Sequence, residues 1–99
     1  MGPIGHKLRL MNESWIVYLL CCSDGKIYAG VTNNLEKRLE AHNKGNASKF
    51  TRARLPVTLL ATSRVIDKED AFRLEYRIKR LPREKKLKAI KDGQAKNRG

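Results

Sequence analysis

The sequence predicts a small α+β domain, a central three-stranded antiparallel sheet flanked by helices in the order β-β-α-β-α-α. Two observations give the strands. Trp15 to Cys22 is an apolar run rich in β-branched and aromatic residues, too short for a typical helix. Ser23-Asp24-Gly25 separates it from a second such run, Ile27 to Thr32, which makes the pair a hairpin. A third observation gives the helices: apolar residues recur at helical spacing after Asn33 and after Asp67.

The first strand reads as buried on both faces, because its apolar residues do not alternate with polar ones. Asp-Gly suits a two-residue or a three-residue hairpin loop. The three-residue loop, with Gly25 left-handed, is the one expected here. It pairs Tyr18 with Gly30 and Leu20 with Tyr28, and it puts all four on one face. Gly30 would then leave open space in the sheet where a phosphate can approach.

The first helix starts near Asn33, since Asn33 and Glu36 have the spacing of a capping box. It runs through Leu35, Leu39 and Ala41 and stops by Gly45. Residues 46–54 are basic and polar, with room for a short helical turn. The third strand begins at Val57, after Pro56, and covers Val57 to Ala61, with Ile66 as its furthest reach. Asp67 caps the second helix, which carries Ala71, Leu74, Ile78 and Leu81 and ends before Pro82. The last helix starts near Arg83, with Leu87 and Ile90 as its apolar positions. One domain is expected over residues 14–91, preceded by a leader (1–13) and followed by a polar tail (92–99).

Charge supplies the first functional indication. Twenty-two Lys and Arg oppose ten Asp and Glu, a net charge of +12. Most of the excess lies in the second half of the chain. Such a surface concentrates polyanions, so nucleic acid is the leading partner class. The apolar run of 15–22 is far short of the roughly 20 residues of a membrane span. No GxGxxG marks a dinucleotide-binding unit. Cys21 and Cys22 are adjacent and have no metal-ligand spacing, so they read as small hydrophobes in a reducing, cytoplasmic compartment.

Several polar residues stand where apolar ones belong. Leu35, Arg38, Leu39 and His42 share one helix face, which sets Arg38 and His42 along the stripe that meets the sheet. Glu75 follows Leu74 on the inward side of the second helix. It either pairs with Lys79 one turn on or aims at a metal or at Arg38. Tyr18 and Tyr28 lie on the two hairpin strands and, with the three-residue loop, share one face.

This ordered set resembles the GIY-YIG nucleases. The resemblance rests on Ile16-Val17-Tyr18, Tyr28-Ala29-Gly30, Asn34-Leu35 with Arg38, and His42-Asn43 with Gly45. Lys49 and Thr51 ahead of Pro56-Val57, and Glu75, complete it. It covers about residues 14–90 and is most similar to small stand-alone bacterial members with a URI-type endonuclease domain. It implies a metal-dependent DNA endonuclease, acting in repair or recombination. Tyr28 would act as general base or orient the attacking water, and Tyr18 would hydrogen-bond within the site. Arg38 would bind the scissile phosphate, and His42 would assist proton relay. Glu75 would be the protein ligand of a single Mg²⁺ or Mn²⁺, which suits an ion that keeps most of its waters. A free phenol titrates near pH 10 and needs positive charge nearby to serve as a base. Lys49, Thr51, Arg52 and Arg54 are the candidates for strand binding.

The chain departs from the family pattern in places. Val31 stands where some members carry Lys, and Asn97 in the tail is no equivalent of a late site Asn. These departures motivate an alternative, a non-catalytic nucleic-acid-binding module on the same fold. The basic last helix, with Arg83, Lys85, Lys86, Lys88 and Lys91, motivates a third, a structural protein bound to RNA or to a protein partner.

Overall fold

The computed structural model describes residues 14–96, with side chains through residue 92. The strands are β1 (Ile16–Cys21), β2 (Ile27–Thr32) and β3 (Thr58–Thr62). The helices are α1 (Leu35–Asn43), α2 (Lys49–Arg52), α3 (Lys68–Lys79) and α4 (Arg83–Lys96). The expected α+β order holds, with α2 as the short helical turn before β3. The sheet is antiparallel, in the order β2-β1-β3.

β1 is central because it is the strand with no polar face. Val17 and Leu19 join Ala29, Ile66, Ala71, Leu74, Ile78 and Ile90 on one side of the sheet. Tyr18, Leu20, Cys22 and Val57 form a second cluster on the other, closed by Leu35 and Leu39 of α1. Helix α3 therefore covers one face and α1 the other, and α4 packs on α3 and β3. β3 is an edge strand with one extra residue, Leu60, where its register on β1 slips between Leu19 and Leu20.

The hairpin loop has the expected three residues. Tyr18 pairs with Gly30 and Leu20 with Tyr28, and Gly25 has φ +86°. A single residue more or fewer in that loop would send the two tyrosines to opposite faces.

Three expectations are corrected. Asn34, not Asn33, caps α1: its side chain accepts the Lys37 N–H at 3.1 Å. The Thr32 hydroxyl accepts the Asn34 N–H at 3.0 Å, the donor that the carboxylate of a capping box would have met. The space above Gly30 is filled rather than open, since a Cβ there would run into the Tyr18 ring and its hydroxyl. Helix α4 continues to Lys96, into the stretch read as a polar tail. The proposed leader and Asn97 lie outside the described residues. Among the described residues no helix is long and apolar enough to cross a membrane.

Candidate functional site

The site grows from the Tyr18–Gly30 pair. With no side chain on Gly30, the Tyr18 ring lies across β2, the outer strand of the sheet. Its hydroxyl meets His42 Nε2 at 2.9 Å. His42 comes from the last turn of α1 and is almost fully buried. Its Nδ1 lies 2.8 Å from the Thr51 hydroxyl, which lies 2.9 Å from the Ser48 hydroxyl. Tyr18, His42, Thr51 and Ser48 thus form one hydrogen-bonded chain from the sheet to the N-terminus of α2.

Burial, and secondarily the Arg38 charge, holds the His42 imidazole below its ordinary pKa. A neutral ring has one donor and one acceptor nitrogen, so the chain can run in either direction. Burial pushes the Tyr18 phenol far up. Tyr28 and Glu75 add to the rise, and Arg38 opposes it. Tyr18 is therefore a fixed, protonated hydrogen-bonding group and not a base.

Tyr28 is held differently. Its ring stacks with Phe50 at 5.9 Å and makes an edge-on contact with His42 at 5.1 Å, centroid to centroid. The Arg54 guanidinium lies over the Phe50 ring, 4.0 Å from its centroid. These contacts fix the ring. Among the described residues, none takes a hydrogen bond from the Tyr28 hydroxyl. Two phenols that look equivalent in the sequence are thus distinct: the hydroxyl of one is tied to His42, and that of the other bonds no described residue.

Arg38 and Glu75 stand on helices that pack against opposite faces of the sheet. Arg38 is exposed and lines a cleft of about 240 Å³ with Thr32, Asn33, Asn34, Lys37 and Ala41. It makes no ion pair among the described residues, yet its charge is felt at both Tyr18 and His42. On the stripe beside Leu39 it is nonetheless exposed, which keeps a lone guanidinium hydrated. Glu75 sits on α3, which packs on β2 and β1, and its charge also reaches Tyr18. The carboxylate is 17% exposed and pairs with Lys79 at 3.0 Å. Of the two sequence alternatives for Glu75, the structure shows the i,i+4 pair with Lys79.

The strand-binding candidates divide. Lys49 and Arg52 are exposed on α2. Thr51 has no exposed surface and is engaged with His42, so it orients the imidazole and does not reach a phosphate. Arg54 donates to Asp24 at 3.0 Å and to the Phe50 carbonyl at 2.9 Å, bracing the hairpin loop against α2. Ser48, Phe50 and the Asn43 clamp on the Val57 backbone were not anticipated. Asn43 stands in the quoted motif, but nothing local in the sequence marks Phe50 as a stacking partner. Cys22 is buried, and burial followed by Asp24 raises its thiol, consistent with a packing role.

A family model described as the GIY-YIG catalytic domain matches residues 14–88. The chain belongs to the GIY-YIG family. The match spans every residue of the cluster just described. The UPF0213 protein of Oceanobacillus iheyensis is 49% identical over 80 residues, covering 81% of this chain and 93% of that protein. The UPF0213 protein of Nitratidesulfovibrio vulgaris is 47% identical over 79 residues, covering 80% and 72%. The solution NMR structure of the UPF0213 protein BH0048 from Bacillus halodurans is 41% identical, with a TM-score of 0.49 and coverage of 85% of this chain and 92% of that chain. This chain thus carries a GIY-YIG domain, a nuclease-type fold that implies a nucleic-acid substrate and whose nucleases generally use divalent metal ions.

The buried network makes a prediction for stability. Unfolded imidazole binds a proton below about pH 6.5, whereas folded His42 resists it. The unfolded state then binds more protons, so stability falls as pH drops below about 6.5, by at most about 1.4 kcal/mol per pH unit. Urea melts between pH 7 and pH 5 check this. The slope is expected to flatten in His42→Gln, which has no proton to gain.

Proposed function

We propose that this GIY-YIG protein is a metal-dependent endonuclease that hydrolyses phosphodiester bonds in DNA, in repair or recombination. The observation that supports it most is the division between the two tyrosines. Tyr18 and His42 form a buried frame. Tyr28 keeps a hydroxyl that no described residue binds, and the Arg38 and Glu75 charges reach its neighbour Tyr18.

In this reading Tyr28, acting as the phenolate, takes the proton of the attacking water and becomes a neutral phenol as the new phosphorus–oxygen bond forms, while His42, with both ring nitrogens engaged, assists by holding the two phenols in place. Arg38 meets the added negative charge on the phosphoryl oxygens. Lys49 and Arg52 hold the flanking strand. The bond to the departing oxygen breaks, and that oxygen takes a proton from solvent water and leaves as a hydroxyl.

Glu75 would hold a single Mg²⁺ or Mn²⁺. Glu75 is a partly buried carboxylate paired with Lys79, and a hard ion that brings most of its own waters needs no more than one such oxygen ligand from the protein. When bound, the ion stabilises charge on the departing oxygen.

Incubation with labelled single-stranded, duplex and branched DNA and Mg²⁺ or Mn²⁺ tests the proposal. Cleavage of at least one substrate is expected, with Glu75→Ala about a thousandfold slower, the several kcal/mol of one lost metal site. Cleavage no faster than that of Glu75→Ala on every substrate would refute it. Val31, where some members carry Lys, favours a second reading as a non-catalytic nucleic-acid-binding module. That reading predicts salt-sensitive binding and no cleavage.

A further inference from the structure

Helix α3 carries a second pattern that the proposed site does not use. Lys68, Phe72, Tyr76 and Arg80 are spaced four apart and form one ridge along the helix and into its cap. The buried face is made by Ala71, Leu74 and Ile78, so the ridge is not part of the core. Phe72 is 47% exposed and Tyr76 62% exposed.

Both rings are braced. Phe72 lies 6.2 Å from the Trp15 ring, over which the Lys68 ammonium sits at 5.3 Å. The Arg80 guanidinium lies 5.2 Å from the Tyr76 centroid and donates to its hydroxyl at 3.2 Å. A cation thus stands at each end of a pair of accessible aromatic faces.

The surroundings are cationic. Residues 68–92 hold ten Lys and Arg against five Asp and Glu, and two of those acids, Glu69 and Asp70, pair with Arg73. At about 100° per residue, Glu75 and Lys79 lie between the buried face and the ridge. A strand lying on the ridge would run beside the carboxylate of the proposed site.

We propose that the Phe72–Tyr76 ridge is a stacking platform for unpaired bases, and that it makes single-stranded DNA the preferred ligand. This deepens the proposed function and rests on its assignment of nucleic acid as substrate. Four residues of helix rise about 6 Å, against about 3.4 Å between stacked bases along one duplex strand. The ridge therefore matches bases on an extended strand, and a duplex keeps its base faces covered. Aromatic stacking supplies affinity without sequence preference.

Binding is measured in EDTA, so that cleavage plays no part. The probes are a labelled oligothymidylate, an abasic strand of equal length, and a duplex of equal length. The wild type is expected to bind the oligothymidylate about tenfold or more tighter than the abasic strand, the size of a base–aromatic stacking contribution. The emission of Trp15, the single tryptophan, should change only with the base-bearing strand. Phe72→Ala/Tyr76→Ala should erase that preference and keep the abasic affinity. Phe72→Leu/Tyr76→Leu, which keeps apolar surface, should erase it too.

Equal affinity for the base-bearing and abasic strands would overturn the proposal. So would a double variant that binds like the wild type, which would leave the ridge to a protein partner. Absence of cleavage with Mg²⁺ would sink the nuclease reading and leave this binding result standing. Cleavage without any base preference would do the reverse.

Discussion

Tyr28→Phe is expected to slow DNA cleavage by about a hundredfold or more while leaving binding and stability close to the wild type. Removing a general acid–base group typically costs 10²–10⁴-fold. Stability should hold because the Tyr28 hydroxyl bonds no described residue, and the ring keeps its contacts with Phe50 and His42. The change should therefore fall within about 0.5 kcal/mol. Single-turnover cleavage at saturating protein, set beside a urea melt, separates the two effects. Unchanged cleavage would reduce Tyr28 to a packing ring and leave the proposed division between the tyrosines without support.

Gly30→Ala is expected to give the largest loss of stability for the smallest change in composition. The new methyl group would occupy the position of the Tyr18 ring and hydroxyl. Overpacking of this kind costs about 1–3 kcal/mol. Displacing Tyr18 also breaks its bond to buried His42, and an unsatisfied buried group adds about 1–3 kcal/mol. Thermal and urea unfolding measure the total. Tyr18→Leu should shrink the cost of Gly30→Ala, because the collision it relieves is the cause. Strict additivity of the two substitutions would show that Gly30 acts through something other than Tyr18.

This dependence on one glycine also explains why the hairpin was legible in the sequence. The Asp24-Gly25 turn and two apolar strands restrict the register to two choices, and a shared face for Tyr18, Gly30 and Tyr28 selects between them. Strand and helix order were legible for the same reason: local period and caps set them. Details decided by adjacent alternatives were not. Asn33 and Asn34 are chemically identical caps, and the Thr32 hydroxyl determines which one serves.

The site was legible as a set of residues but not as a geometry. Sequence spacing put His42 and Arg38 on one face. The structure buries His42 and leaves Arg38 in solvent, because Tyr18 and Thr51 give the imidazole two partners and nothing comparable satisfies the guanidinium. Thr51 sits in a basic stretch and reads as a phosphate contact until the fold places His42 against it. Phe50 and Arg54 form a stack on Tyr28 through tertiary contacts that no local pattern encodes.

The proposed nuclease needs the Tyr28 phenol, the Arg38 guanidinium and the Glu75 carboxylate to act together on one phosphodiester. A side-by-side assay sets wild type, Tyr28→Phe, Arg38→Ala and Glu75→Ala on one labelled DNA strand with Mg²⁺, with each variant's DNA affinity measured in EDTA. Wild type is expected to cut, all three variants to lose cleavage, and Tyr28→Phe and Glu75→Ala to bind as tightly as wild type. A wild type that binds and does not cut, or variants that cut at its rate, would refute the shared role.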